Sequence, residues 1–191
     1  MKNLKINIRE FLKYKFLNSL FLGTSVGSIF TVYAPIEPSI YSLGGILLAF
    51  GMLVVAKFYY KILNIEYFYK ISLFVEAVLF VVMLWFLLFS YSYMSALLIY
   101  AGYQVTFTFG SYLIRAETLF LKKTQAITWV DVAKQKGYLA GMFLSYALYK
   151  FLELYLHISD KQIQVYMIHF LLLAIQTAII FYLLKSFGRL R

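Results

Sequence analysis

Apolar residues run along this chain in long blocks, divided by short polar or charged stretches. A helix that crosses a bilayer needs about 20 mostly apolar residues. Residues 16–33, 40–59, 71–89, 94–114, 138–156 and 165–187 meet that need. They predict an all-α membrane protein with six transmembrane helices, and 1–191 reads as a single six-helix domain. Pro35 and Pro38 flank Glu37 and predict a turn between spans one and two. Residues 1–15 are basic and place Leu4, Ile8, Phe11 and Leu12 on one helical face. They predict an amphipathic segment at the interface that leads into span one. The only small-residue motif resembling a signal-peptide cleavage site ends at Ala34, with Pro35 after the cut, so span one is expected to be retained.

Composition supports lipid as the solvent. Of 191 residues, 63% are hydrophobic and 14% charged, against about 45–50% and about 25% in soluble domains. Mean hydropathy is +0.79. The net charge of +10 could suit nucleic acid or anionic lipid, and its placement decides between them. Of the 18 Lys and Arg residues, only Lys150 and Lys161 fall outside the termini and the even-numbered connections. By the positive-inside rule both termini are cytoplasmic. The charge then reports topology and attraction to membrane lipid, and no nucleic-acid partner is expected. The Lys-rich, aromatic-rich usage suits a bacterial cytoplasmic (inner) membrane.

Small residues at intervals of four let membrane helices approach closely. Gly23 and Gly27 in span one, Gly102 and Gly110 in span four, and Gly137 and Gly141 at span five have that spacing. Spans three and six have no glycine, which predicts that spans one, two, four and five pack tightly and that three and six lie at the periphery. Polar residues at membrane depth are the candidate functional groups. Glu76, in an otherwise apolar span three, either binds a proton or cation that is coupled to movement, or is neutralised by a partner. His169 and Gln176 share one face of span six, and His169 is the second proton-coupling candidate. Thr24, Ser28 and Thr31 in span one, with Gln104 and Thr108 in span four, either bind a solute or join helices by hydrogen bonds. Arg115 is expected to snorkel or to meet a carboxylate of another helix, Asp131 and Lys134 to form a surface pair, and His157 to be solvated.

The sequence has no cysteine and only two histidines, twelve residues apart, so no thiol, disulfide or metal site is visible. There is no G-x-S-x-G, no P-loop, no G-x-G-x-x-G and no H-E-x-x-H. An enzyme is not expected, and no cofactor is implied.

The layout resembles one six-helix half, the N-terminal half, of a major facilitator superfamily transporter. Residues 16–62 have the cadence of that family's helices 1 and 2. Residues 106–148 resemble its helix 4, basic loop and glycine-rich helix 5. Gly51 matches the start of the cytoplasmic motif after helix 2, where Val55 stands in place of Asp and Lys57 and Lys61 keep the basic part. The resemblance implies that helices 1 and 4 line a cavity, that 2 and 5 meet the other half, and that 3 and 6 are peripheral. It implies a small-molecule solute moved by alternating access, in a parallel homodimer or with a second six-helix membrane protein. The alternative is a non-transporting scaffold or accessory subunit of a larger complex.

Overall fold

A computed structural model describes residues 4–189, so Lys2 and Arg191 of the charge pattern lie outside the described residues. The elements are β1 (Leu4–Ile6), α1 (Ile8–Tyr33), α2 (Pro38–Lys57), α3 (Tyr59–Ile62), α4 (Ile65–Leu88), α5 (Tyr93–Thr108), α6 (Gly110–Leu121), α7 (Thr124–Leu154), α8 (Lys161–Ser186) and β2 (Phe187–Arg189).

The connections use familiar start signals. Asn7, Asn64, Ser92 and Asp160 cap α1, α4, α5 and α8 by accepting from backbone N–H groups of the first turn. Pro38 opens α2, where a missing N–H costs nothing. Span four is broken at Phe109. There the Thr106 and Thr108 hydroxyls donate to the carbonyls of Tyr103 and Gln104, and Gly110 follows. Such back-bonding bends a helix.

Five helices among the described residues are long and apolar enough to cross a membrane: α1, α2, α4, α8, and α5 with α6 taken together. Large apolar side chains such as Phe30, Phe50, Leu88 and Phe143 are more than 60% exposed, a surface that suits lipid. Helix α7 has 31 residues and is not among the five; its first half carries Asp131, Lys134 and Lys136.

The helix directions alternate. Gly137 stands against Phe16, Gly141 against Leu20, and Gly27 against Tyr149, so α1 and α7 run parallel. Phe68 meets Phe187 while Phe86 meets His169, so α4 and α8 are antiparallel. Phe11 on Phe68 and Tyr14 on Glu76 make α1 and α4 parallel. Helix α5 descends along α4, with Ser95 at Trp85 and Phe109 at Phe74. Helix α2 runs parallel to α5, with Gly44 at Tyr100 and Gly51 at Thr108. At one end of the bundle β1 and β2 pair antiparallel, Lys5 opposite Gly188, so the two ends of the described chain meet.

Two expectations are corrected. Leu4 lies in a strand and not on a helical face, while Phe11 is fully buried in the core. Residues 4–15 therefore form a short strand and the start of α1, and not a separate amphipathic helix. Spans three and six are not peripheral within the chain: α4 and α8 are the most buried of the five, at 39%, and α2 the least, at 6%. Lack of glycine sets the spacing between helices and not whether a helix has neighbours. Bulky residues on every side give α4 and α8 contacts with each other and with other helices.

The glycines divide by what they touch. A Cβ at Gly23, Gly137 or Gly141 would strike backbone of the facing helix in the α1–α7 seam. One at Gly27 would meet the Tyr149 ring at 3.3 Å, and one at Gly102 would collide with Val82. Gly110 faces open space, so it serves the helix break and not the expected packing. Replacing Gly141 by Ala is therefore expected to cost about 1–3 kcal/mol. Gly45→Ala, where a Cβ meets nothing, should cost nothing. Thermal unfolding of both variants in detergent distinguishes them.

A buried carboxylate network as candidate functional site

Tyr14 and Asn18 lie one turn apart on α1, Glu76 on α4 and Gln176 on α8. The three helices bring them together in the interior. The Tyr14 hydroxyl and the Asn18 amide each donate to Glu76 Oε1 at 2.9 Å. Gln176 Nε2 donates to Glu76 Oε2 at 2.8 Å and to the Glu76 carbonyl at 2.9 Å. Glu76 is 1% exposed and Gln176 fully buried. Three donors on one carboxylate favour its charged form, and burial opposes it.

Beside this lies a second polar cluster that sequence reading missed. Lys15 Nζ stands 2.6 Å from Glu117 Oε2, and Lys134 reaches the other oxygen of the same carboxylate. Lys134 also holds Asp131 at 3.3 Å. The bridge ties α1 to α6 and α7. Lys15 follows Tyr14 in sequence, and its ammonium lies 5.1 Å from the Tyr14 ring centroid, so the two clusters adjoin through α1. Lys15 is legible in the sequence only as a topology signal and Lys134 only as a partner of Asp131, because Glu117 is far from Lys15 in sequence. Asp131 and Lys134 do pair, yet as the outer part of this buried cluster. Among the described residues Arg115 meets no carboxylate; its guanidinium sits 5.7 Å from the Tyr59 ring centroid.

The other candidates are dispersed. His169 is buried, with Nδ1 2.6 Å from the Val165 carbonyl and its ring 3.9 Å from that of Phe86. It lies seven residues from Gln176, about 10 Å along α8, so it does not join Glu76. The Thr24 hydroxyl donates to Leu20 and approaches the Gly141 carbonyl in the α1–α7 seam. Ser28 donates to the Ser25 carbonyl. Thr31 is half-buried near the far end of α1. Gln104 and Thr108 instead line a cleft of about 480 Å3 between α2 and α5, together with Tyr100 and apolar residues. Among the described residues Gln104 Oε1, a buried atom, has no hydrogen-bond partner. His157 is exposed, as expected.

Chemically, Glu76 is the buried carboxylate of this cluster and accepts three hydrogen bonds on its side chain. Gln176 Oε1 is buried with no hydrogen-bond partner among the described residues. Among the described residues no group of His, Asp and Glu is placed to hold a metal ion. Comparison with protein-family models, curated proteins and solved structures finds no match.

Replacing Glu76 by Ala strands the Tyr14, Asn18 and Gln176 donors together. It is expected to cost about 3–5 kcal/mol, read from unfolding in detergent. Glu153→Ala, which removes only an exposed pair with Lys150, should leave stability unchanged.

Proposed function

We propose that this chain is a six-span membrane protein organised like half of a major facilitator transporter, with both termini cytoplasmic. In this reading it moves a small solute by alternating access, with a second six-helix unit completing the pathway. The observation that carries it is the pattern of helix pairing. The most extensive pairs are α1 with α7, α1 with α8, α4 with α8, α4 with α5, and α2 with α5. Exchanging α1, α2 and α4 for α5, α7 and α8 turns this set into itself, parallel pairs into parallel and antiparallel into antiparallel. An inverted three-plus-three arrangement is the construction principle of a facilitator half.

The sixth crossing rests on register. Helix α7 runs beside α1 from Gly137 to Tyr149. If α1 spans, that part of α7 lies at the same depth. At 31 residues the helix is about 46 Å long, enough to carry its charged first half beyond the hydrocarbon.

In this assignment the α2–α5 cleft, with Gln104 and Thr108, is the face open to solute or to the second unit. Glu76 is the proton-coupling group. A non-transporting membrane subunit is the second reading. It is favoured by Thr24 and Ser28, whose hydroxyls are spent on backbone carbonyls, and by the dispersal of the remaining solute-contact candidates.

The absence of cysteine makes topology directly testable by single substitutions. Ser90→Cys and Ser159→Cys are expected to react with an impermeant maleimide added outside whole cells. Asn64→Cys and Lys122→Cys should react only after permeabilisation. An odd number of crossings removes the proposal. Function is tested in proteoliposomes with pooled amino acids, sugars and organic cations. Flux that is lost in Gln104→Leu supports transport. No flux, together with stable copurification of one other membrane protein, supports the accessory reading.

A further inference from the structure

At the bundle end where the strands pair, α1, α7 and α8 leave a cleft of about 560 Å3. Phe16, Val132 and the Tyr182 ring form its apolar lining, and Lys13, Lys136 and Trp129 line it as well. Trp129 is 48% exposed and the Lys13 side chain 43%. Lys13 holds Glu10 at 3.0 Å and lies 5.2 Å from the centroid of the Tyr182 ring. Lys136 is exposed and has no partner among the described residues.

Depth fixes the setting. Lys13 is five residues into α1, about 7.5 Å, and Tyr182 is four residues from the end of α8, about 6 Å. Each helix has 26 residues, so is about 39 Å long, against a hydrocarbon core of about 30 Å. The cleft therefore stands where acyl chains give way to headgroups. Phe16 is level with Gly137, so Lys136 is level with Lys15. The stems of Lys13 and Lys136 thus leave their helices within about 3 Å of each other in height.

We propose that this cleft is a binding site for an anionic phospholipid. The phosphate sits between the Lys13 and Lys136 ammonium groups, an acyl chain lies deeper against Phe16 and Leu17, and Trp129 and Val132 stand at headgroup level. A soluble anion would leave the apolar walls without a role, and a neutral lipid would leave Lys136 without one. Glu10 neutralises part of the Lys13 charge, so Lys136 supplies most of the selectivity. The site rests on the membrane orientation proposed above, and nothing in it depends on transport.

The sequence has two tryptophans, so Trp85→Phe leaves Trp129 as the only one. The full-length variant is placed in vesicles of equal phosphatidylglycerol and phosphatidylcholine, with bromine on one lipid or on the other. Brominated phosphatidylglycerol is expected to quench Trp129 with about fivefold preference. That preference should disappear in Lys13→Gln/Lys136→Gln, and millimolar inorganic phosphate should leave it unchanged. Equal quenching by the two lipids overturns the site and leaves the membrane orientation standing. No quenching by either overturns the orientation and the site together. Displacement by inorganic phosphate overturns the lipid assignment in favour of a free anion. Should Trp85→Phe fail to fold, native mass spectrometry of the unaltered chain decides. Retained phosphatidylglycerol that is lost in Lys13→Gln/Lys136→Gln supports the site, and equal retention of both lipids overturns it.

Discussion

The backbone contact between α1 and α7 is the constraint from which the rest of the arrangement follows. Gly23, Gly137 and Gly141 let two helices approach until the facing peptide groups occupy the space a side chain would take. In lipid there is little hydrophobic gain from such an approach, so dispersion between closely fitted surfaces must supply the attraction. The contact fixes α1 in rotation. With one face committed to α7, Tyr14 and Asn18 are turned toward Glu76 and Lys15 toward Glu117. A rotated α1 would take Tyr14 and Asn18 from Glu76 and Lys15 from Glu117, leaving each buried carboxylate with only part of its partners, a larger cost than any single packing contact.

Buried charge therefore specifies register more than it contributes stability. Glu76 gathers donors from two other helices, and Glu117 gathers Lys15 and Lys134 from two others. A slip of α1 by one residue disturbs both clusters, and a slip of α7 disturbs the Lys134 side of the second. The price of these clusters is desolvation, and replacement by well-fitted apolar residues is often neutral in other proteins. In so apolar an interior the Glu76 carboxylate is matched by donors from α1 and α8.

The sequence made several features legible for clear physical reasons. Block length gave the long helices, since a bilayer imposes it. Charge asymmetry bears only on which side the termini face; the pairing of β1 with β2 had no signal in it. Glycine spacing located Gly23, Gly137 and Gly141 at a close approach. Glycine absence misled, because α4 and α8 are surrounded without being closely approached. The Lys15–Glu117 bridge was invisible, since the pairing is made by tertiary approach of α1 to α6. The Glu76 ligands were half visible: Gln176 was noticed for its face, but beside His169, with which it shares no contact. The break at Phe109 escaped notice because two threonines and a glycine are common in membrane helices that do not bend.

The two seams related by the exchange of three-helix units are built unequally. Between α1 and α7, glycines and backbone contact close the space. Between α2 and α5, Tyr100 and Thr108 side chains stand opposite Gly44 and Gly51, and a cleft remains that Gln104 lines, with its Oε1 buried and without a partner among the described residues. An unsatisfied buried acceptor is costly, and in lipid no solvent relieves it. The same residues would cost less if α2, which buries only Gly44 of its own residues, met another surface there. The α1–α7 seam is thus closed by backbone contact, while the α2–α5 seam keeps a cleft lined by Gln104 and Thr108.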